Sequence, residues 1–442
     1  MGKLYKTVVF LFFLTLNLYA GNSGSPLMGW NSFDSYGSEI NKKEVWDNLY
    51  VFIDKLKPFG YEYFVLDAGW YRYPDKEPAV DEYGRYIPSD FLFPGGFNDI
   101  IEYAHSHGVK FGLHLMRGIP RNVVKHDLPI KGTKYTAKDI VNLSDTCSWS
   151  NSMYGVDMSK PGAQEYYNSV FELLAEWGVD FVKYDDIVHK PEEITAVVKA
   201  LARTGRDIKL SISPGDDVNA SFLDIYKKTN MVRITRDIWD LQEDIDITFE
   251  KWEKMQLYAN CGFWFDMDMI PFGHIRLNYP LEHEKNNVTR GYERMDNFTI
   301  AQKRTFLTQR ALAASPLFMS GSLVSSPNFV FELITDRNMI ECNQNGVTGN
   351  LIYRLSDYGN KFDVWSTPHK KNKNEGWIGI FNRSEYMNRI RICKEKLGMV
   401  DEKKYLIYDI WGKRYIKDAD EFMFDIQARD VLFIYYKIRE YE

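Results

Sequence analysis

The alternation of short β-forming runs with helical segments is the feature that most constrains the fold of this chain. The β-forming runs are bounded by turn residues and lie at 27–31, 61–67, 110–116, 180–186, 208–213, 231–237, 263–269 and 316–321. Segments with apolar residues at helical spacing lie between them, at 42–57, 163–177, 192–202, 241–254 and 301–313. Eight such alternations predict a (β/α)8 barrel.

The pattern changes after residue 346. Short segments with alternating apolar and polar residues follow, at 351–356, 362–366, 375–382, 389–393, 404–410, 413–416 and 431–437. Strands of this length separated by polar turns predict an antiparallel β-sandwich. No long flexible linker separates the two patterns. We therefore expect a barrel over 21–346 and a closely packed sandwich domain over 347–442.

The N-terminal segment has the layout of a secretory signal peptide. Lys3 and Lys6 precede an apolar stretch at 8–18, and a small residue, Ala20, ends the segment. The apolar stretch is short for a bilayer span, although a retained N-terminal anchor is the alternative. Residues 1–20 are therefore predicted to be removed, giving a secreted or periplasmic protein with no integral membrane segment.

Charge and cysteine content exclude several classes of function. The formal net charge of −6 argues against a nucleic-acid partner and against a polyanionic substrate, because phosphates need a basic surface. The four cysteines show no spacing typical of zinc or redox sites. Free thiols and disulfides both remain possible for Cys147, Cys261, Cys342 and Cys393. The oligomeric state is left open.

Polar residues end most of the predicted barrel strands. Barrel enzymes place their chemistry at the carboxyl ends of the strands, which here carry Trp30, Asn31, Asp67, His114, Asp185, Asp186, Ser213, Arg233, Asp237, Asp266 and Asp268. Lys183 precedes Asp185 by two residues, so both face the same side, and its charge should keep the carboxylate ionised. Many charged hydrogen-bonding groups with an aromatic side chain are typical of a sugar-binding funnel.

Six of these segments resemble glycoside hydrolase family 27, the α-galactosidase and α-N-acetylgalactosaminidase family. The similar segments follow in the same order as in the family, at 26–32, 60–67, 108–114, 177–185, 233–237 and 314–320. The resemblance implies a retaining mechanism in which Asp185 attacks the anomeric carbon and Asp237 acts as acid and then as base. It also implies that Trp30, Asp67, Lys183 and Arg233 contact the sugar. No metal or organic cofactor is implied.

The sequence departs from the family pattern at positions that bear on the substrate. Ala68 replaces a second aspartate, which removes one hydroxyl acceptor from the place where the family reads an axial O4, and His114 replaces a common tyrosine. Gly69 and Ile187 replace frequent cysteines. Ser213 stands where α-galactosidases carry a glutamate, which leaves room for an acetamido group. An oligosaccharide or glycoconjugate with a terminal α-galactosyl-type residue is expected, and N-acetylgalactosamine and β-L-arabinopyranose remain alternatives.

Two other functions remain possible from the residues alone. Lys183 could act as the Schiff-base lysine of an aldolase, although no phosphate-binding loop follows the last strands. The barrel could also bind carbohydrate without turnover. Three further residues have open roles: Arg117 could contact an acidic substrate or form a structural ion pair, and Asp266 and Asp268 are expected to support the site from behind.

Overall fold

The computed structural model describes residues 24–75, 77–216, 218–258, 262–278, 291–357 and 359–439. The predicted signal peptide, residues 1–20, lies outside these ranges. Among the residues described, no helix is long and apolar enough to cross a membrane.

The first part of the chain forms an eight-stranded parallel sheet that closes on itself. Its strands are β1 (Met28–Asn31), β2 (Tyr63–Leu66), β3 (Lys110–Met116), β4 (Phe181–Asp185), β5 (Lys209–Ile212), β6 (Met231–Arg233), β7 (Trp264–Asp266) and β8 (Leu317–Met319). They pair in the order β7-β6-β5-β4-β3-β2-β1-β8. Ile270, which follows β7, makes a parallel bridge to Met319 of β8. The prediction of a (β/α)8 barrel is confirmed.

Helices surround the barrel. The longer ones are α1 (Lys42–Val51), α2 (Asn98–Ser106), α3 (Ala163–Trp177), α4 (Pro191–Thr204), α5 (Gln242–Met255) and α6 (Ile300–Ala313). Shorter helices occur at Phe33–Tyr36, Arg121–His126, Ala137–Ile140, Leu223–Tyr226, Asn328–Ile334 and Arg337–Gln344. The predicted helix at 42–57 is divided, because α1 continues into a π-helical turn at Phe52–Leu56. Asn41 starts α1 with a capping box that it forms with Glu44.

Alternate residues of the strands face opposite sides of the barrel wall. Tyr63, Val65 and Phe181 belong to a cluster that fills the interior. Phe64 and Val182 belong to the larger core between the strands and the helices. Because the interior is filled by side chains, polar residues that face inward can meet only at its open end.

An insertion between β3 and α3 adds a small antiparallel sheet that the sequence analysis did not predict. Its strands are Ile119–Pro120, Val141–Thr146 and Met153–Val156. We call this element the insertion sheet. It follows the carboxyl end of β3 directly and therefore lies on the side of the barrel where active sites are built.

The C-terminal part forms two antiparallel sheets, as predicted. The larger contains β9 (Asn350–Asp357), β10 (Asn360–Pro368), β11 (Glu375–Asn382), β13 (Tyr405–Asp409), β14 (Arg414–Ile416) and β16 (Val431–Ile438). The smaller pairs β12 (Asn388–Cys393) with β15 (Glu421–Ile426). β15 is absent from the predicted strands, although its apolar residues Phe422, Phe424 and Ile426 alternate. Phe422 and Ile426 pack with residues of the larger sheet in one core.

The barrel and the sandwich share a continuous hydrophobic core. Trp252 of α5 stacks on Trp365 of β10 with their ring centroids 3.6 Å apart. Arg383 follows β11 and forms ion pairs with Asp246 of α5 at 2.6 Å and with Asp363 of β10 at 2.8 Å. Packing of this kind resists relative motion of the two parts.

The cysteines within the described ranges have free thiols. Cys147 and Cys342 are buried and Cys393 is half-buried. Cys261 lies outside those ranges. For the three described cysteines, the structure agrees with the free-thiol alternative.

Candidate active site

Asp185 ends β4 and is held by two neighbouring strands. Its Oδ2 lies 2.9 Å from Nε2 of His114, which is on β3. Its Oδ1 accepts a hydrogen bond from the hydroxyl of Ser213, the residue that follows β5. The Asp185 side chain is 16% exposed, so one side remains open to a ligand. Three of the sequence-predicted site residues therefore meet at one carboxylate.

The surroundings of Asp185 favour its ionised form. Burial alone would favour the neutral form, but the charges of Lys183, His114 and Arg233 together hold the pKa of Asp185 well below its usual range. A carboxylate that stays ionised and partly desolvated is suited to act as a nucleophile.

Lys183 and Asp67 form a buried ion pair beside Asp185. Nζ of Lys183 lies 2.8 Å from Oδ2 of Asp67, which also accepts a hydrogen bond from the Asn31 side chain at 2.7 Å. Burial disfavours the charge of Lys183, but Asp67 and Asp185 raise its pKa above the usual range. A Schiff-base lysine must lose its proton to attack a carbonyl, so this environment argues against the aldolase alternative.

Arg233 links Asp237 to the rest of the site. Nη2 of Arg233 lies 2.8 Å from Oδ1 of Asp237, whose side chain is 44% exposed. The predicted strand at 231–237 ends earlier, because the chain turns away after Ile234, whose N–H makes the last hydrogen bond to β7. Asp237 therefore lies on a loop, where it can exchange protons with water.

Asp266 and Asp268 support this loop. Oδ1 of Asp268 lies 3.3 Å from Nη1 of Arg233, and Oδ2 accepts a hydrogen bond from the Ile238 N–H at 2.9 Å. The carboxylate of Asp266 accepts from the Asp268 N–H at 2.8 Å. Both aspartates are buried, which fits the expected role behind the site.

Trp30 lies away from this cluster. It faces the helices, stacks on Phe64 with ring centroids 4.7 Å apart, and donates its indole N–H to the Gly321 carbonyl at 2.8 Å. Its side chain is fully buried. The structure does not bring Trp30 to the site, because Asn31 and Trp30 are consecutive on a strand and face opposite sides.

The aromatic ring that the structure brings to the site is Phe33. Nζ of Lys183 lies 5.7 Å from the centroid of the Phe33 ring, and Phe33 packs against the residues that fill the barrel interior. Phe33 follows β1 rather than ending it, so it is absent from the strand-end residues that were predicted to form the site. Strand parity was the available signal, since it excludes Trp30 from the inner face.

Asp34 is a further carboxyl group that the sequence analysis did not identify. It is almost fully buried and accepts a hydrogen bond from the Ser320 hydroxyl. Burial and the negative charge of Asp268 raise the pKa of Asp34 from 3.8 to about 8, although the Ser320 bond and Lys183 oppose this shift. Asp34 is therefore neutral at pH 7.

We expect Asp34→Asn to stabilise the protein at alkaline pH. Between pH 4 and 8 the folded state keeps a proton that the unfolded chain has released, so stability falls as pH rises through this window. At pH 9 the variant should exceed the wild type by more than about 1 kcal/mol, since one pKa unit corresponds to about 1.4 kcal/mol. Urea unfolding at pH 5 and pH 9 measures this difference. Equal pH dependence of the two proteins would contradict the buried neutral carboxyl.

The site combines an ionised carboxylate, a second carboxylate open to water, and two buried cations. These are Asp185, Asp237, Lys183 and Arg233. Within the part of the chain that the structure describes, no group of three or more His, Cys, Asp or Glu side chains is arranged to hold a metal ion. The arrangement is suited to acid–base and nucleophilic chemistry on an uncharged, hydroxyl-rich ligand.

Comparison with known proteins identifies the family. The family model described as Melibiase matches residues 28–207, and the one described as Alpha galactosidase A matches residues 152–288. An α-galactosidase of Oryza sativa is 24% identical over 399 residues, covering 89% of this chain and 80% of that protein. An α-galactosidase of Cyamopsis tetragonoloba is 25% identical over 400 residues, which cover 88% of this chain and 80% of that protein.

Solved structures agree with these matches. A β-L-arabinopyranosidase of family GH27 from Geobacillus stearothermophilus is 34% identical, has a TM-score of 0.87, and covers 94% of this chain and 97% of its own. The fold of α-galactosidase I from Mortierella vinacea is also similar, with 17% identity, a TM-score of 0.69, and coverage of 95% and 98%. The chain is a glycoside hydrolase, and it belongs to glycoside hydrolase family 27.

Proposed function

We propose that the protein is a retaining, exo-acting glycosidase that releases terminal sugars of the α-galactosyl type. In this proposal Asp185 is the nucleophile and Asp237 is the acid/base residue. Asp67, His114, Lys183, Ser213 and Arg233 surround the sugar or the nucleophile. The proposal combines the family membership with the geometry of the site.

The observation that carries the proposal is that Arg233 forms an ion pair with Asp237 and that its charge also helps to keep Asp185 ionised. Its guanidinium contacts Asp237 directly. Burial opposes its charge, but Asp268, Asp237 and Asp185 together raise the pKa of Arg233 above its usual range. Because the charge of Arg233 acts on both carboxylates, we place them on the two sides of one sugar ring in this proposal, as a retaining mechanism requires.

The two steps follow from the environments of the carboxylates. Ionised Asp185 attacks the anomeric carbon while Asp237 gives a proton to the departing glycosidic oxygen. Asp237 then takes a proton from a water molecule, and the water oxygen displaces Asp185 from the same carbon. The sugar leaves with its original anomeric configuration, because each step inverts it once.

The test is a panel of p-nitrophenyl glycosides followed by product analysis. We expect hydrolysis of the α-D-galactopyranoside and not of the α-D-glucopyranoside, which differs only at C4. NMR of the first product formed should show retention of configuration. A product of inverted anomeric configuration would rule out the proposal. Failure to hydrolyse every glycoside of galacto configuration in the panel would rule it out as well. The α-N-acetylgalactosaminide tests whether the small Ser213 side chain leaves room for an acetamido group.

A second candidate substrate is a β-L-arabinopyranoside. This sugar has the ring configuration of α-D-galactose but lacks the hydroxymethyl group on C5. Two observations favour it: the similarity to the Geobacillus stearothermophilus β-L-arabinopyranosidase, and Ala68, which leaves Asp67 as the carboxylate at this position. The loss of this acceptor changes the pocket, and a changed pocket can accept a pyranose other than galactose.

Ala68→Asp tests this candidate directly. If the missing carboxylate at position 68 is what disfavours galactose, the variant should raise the ratio of kcat/KM for galactoside over arabinopyranoside by about 10-fold or more, because polar pockets discriminate strongly between paired and unpaired hydroxyls. Ala68→Asn is the uncharged control. A wild-type ratio that already favours the galactoside, and does not change in the variant, would remove the arabinopyranoside candidate.

Lys183→Met is expected to make catalysis more sensitive to acid. Lys183 helps to hold the pKa of Asp185 low, so without it the nucleophile should become protonated at higher pH, by about 1–3 units. The loss in kcat/KM should therefore increase as the pH is lowered from 7. The matched control is Lys209→Met at the opposite end of the barrel, because both lysine side chains are 11% exposed and ion-paired. A uniform loss across pH would contradict the electrostatic role.

We also propose that the protein is exported. The cationic and apolar pattern of residues 1–20 supports this proposal. Expression of the full chain in a bacterium with a Sec pathway, followed by mass spectrometry, should give a mature chain that begins at Gly21. A chain that retains Met1 and stays inside the cell would contradict it.

A further inference from the structure

Arg117 lies next to the proposed nucleophile. The N–H groups of its side chain are all bound to protein groups, so none is directed at the proposed sugar site. Arg117 follows β3, where Met116 pairs with Asp185. The backbone N–H of Arg117 donates to the Asp185 carbonyl at 3.0 Å. Its side chain is 2% exposed. The sequence left two roles open for Arg117. Its buried position is incompatible with one of them, a direct contact with an acidic substrate.

The guanidinium of Arg117 holds the residue that follows the nucleophile. Nε lies 2.8 Å from the Asp186 carbonyl oxygen, and Nη2 lies 2.8 Å from Oδ2 of Asp186. Asp186 has a φ of 63°, in the left-handed region that residues other than glycine rarely adopt. A conformation of this kind persists only where the surrounding structure imposes it. Here Arg117 provides hydrogen bonds to both the backbone and the side chain.

The other side of the guanidinium is fixed by the insertion sheet and by α4. Nη1 lies 2.9 Å from Oδ2 of Asp145 and 2.8 Å from Oε1 of Glu193. The Tyr167 hydroxyl donates to Glu193, and Nζ of Lys190 lies 2.7 Å from Asp145. Since Nε also lies 3.1 Å from Oδ2 of Asp186, each nitrogen of the guanidinium has a carboxylate partner. Arg117 cannot move without breaking several charged hydrogen bonds in a buried environment.

We propose that Arg117 is a positioning residue that fixes the backbone of the nucleophile. The inference rests on the proposed function, in which Asp185 attacks the sugar. His114 and Ser213 orient the carboxylate of Asp185, whereas the guanidinium of Arg117 binds the carbonyl group and the side chain of Asp186, the next residue. Attack on the anomeric carbon requires a closely defined distance and angle, so a small displacement of this turn slows the reaction without weakening sugar binding.

The experiment compares Arg117→Met and Arg117→Lys with Arg383→Met. Arg383 is a matched control, because its side chain is 8% exposed and also bridges two carboxylates, but it lies between α5 and the sandwich. Pre-steady-state release of dinitrophenol from an activated glycoside measures the glycosylation rate. Inhibition by the free sugar measures ground-state binding. Circular dichroism determines the folded fraction of each variant.

We expect both Arg117 variants to glycosylate about 10- to 100-fold more slowly, with the inhibition constant of the free sugar changed less than about threefold because no donor of Arg117 reaches the sugar. Lysine keeps the charge but lacks the planar fork that binds Asp186, Asp145 and Glu193 together. Arg383→Met should lower stability but leave the glycosylation rate per folded molecule unchanged. Added methylguanidine should partly restore the rate of an Arg117→Ala variant.

Two outcomes would overturn the inference while leaving the proposed function intact. The first is a wild-type glycosylation rate in folded Arg117→Lys and Arg117→Met. The second is an equal loss of rate in Arg383→Met, which would show a general effect of stability. If Arg117→Met does not fold, Arg117→Lys and the methylguanidine rescue decide the result. Full activity of an Asp185→Ala variant would instead overturn the proposed function itself.

Discussion

Asp185→Ala is expected to lower kcat/KM for aryl glycosides by at least about 10,000-fold, because removal of a nucleophile abolishes the covalent step and leaves only binding. The fold should be preserved, since the Asp185 carboxylate lies at an open end of the barrel and its strand keeps its backbone pairing. Added azide should occupy the vacated position and attack the anomeric carbon from that face. The product is then a glycosyl azide of inverted configuration, which NMR identifies.

The matched control for this variant is Asp207→Ala. Asp207 precedes β5 at the opposite end of the barrel, and its side chain is 76% exposed. We expect this variant to have wild-type activity. Hydrolysis by Asp185→Ala at more than about a hundredth of the wild-type rate, after exclusion of contaminating enzyme, would remove Asp185 from the nucleophile role.

Asp237→Asn is expected to show a loss that depends on the leaving group. For substrates with a poor leaving group, such as an alkyl glycoside or an oligosaccharide, kcat/KM should fall by about 100- to 10,000-fold, the usual contribution of a general acid. For a dinitrophenyl glycoside the departing oxygen needs no proton, and kcat/KM should change little. The accumulated glycosyl-enzyme should then limit kcat, because the base that activates water is missing.

Azide provides the second measurement on Asp237→Asn. It needs no general base, so it should raise kcat for the dinitrophenyl glycoside and give an azide of retained configuration. This product is the opposite anomer of the one expected from Asp185→Ala. Equal losses for good and poor leaving groups, or an inverted azide, would show that Asp237 is not the acid/base residue.

The strands of the barrel were predictable because their signal is local. Each of the eight runs recognised in the sequence contains a strand of the parallel sheet, and no end is shifted by more than four residues. β6 shows the largest shift, since the β-forming residues 234–237 lie in the loop that carries Asp237. β15 was missed although its apolar residues alternate. Within the described ranges it pairs only with β12, and local alternation alone did not distinguish it from a loop.

The candidate site was predictable in part. Asp67, His114, Lys183, Asp185, Ser213 and Arg233 lie together, because the carboxyl ends of parallel strands meet at one end of a barrel. Trp30 was placed on the wrong side of its strand, and Phe33 and Asp34 were missed because they follow β1. The role of Arg117 depends on Glu193, which is 76 residues away in sequence, and no local pattern indicates such a contact.

The sequence by itself determined that the chain forms a (β/α)8 barrel followed by a β-sandwich, and which acidic residues end the strands. Periodicity and turn residues carry this information, because hydrophobic burial depends on the order of residues along each element. Only the tertiary structure decided which side chains face the open end of the barrel, which of them form hydrogen bonds and ion pairs, and which carboxyl groups are ionised. The neutral Asp34, the ionised Asp185 and the fully bonded Arg117 depend on burial and on partners from distant segments, and these arise only when the chain has folded.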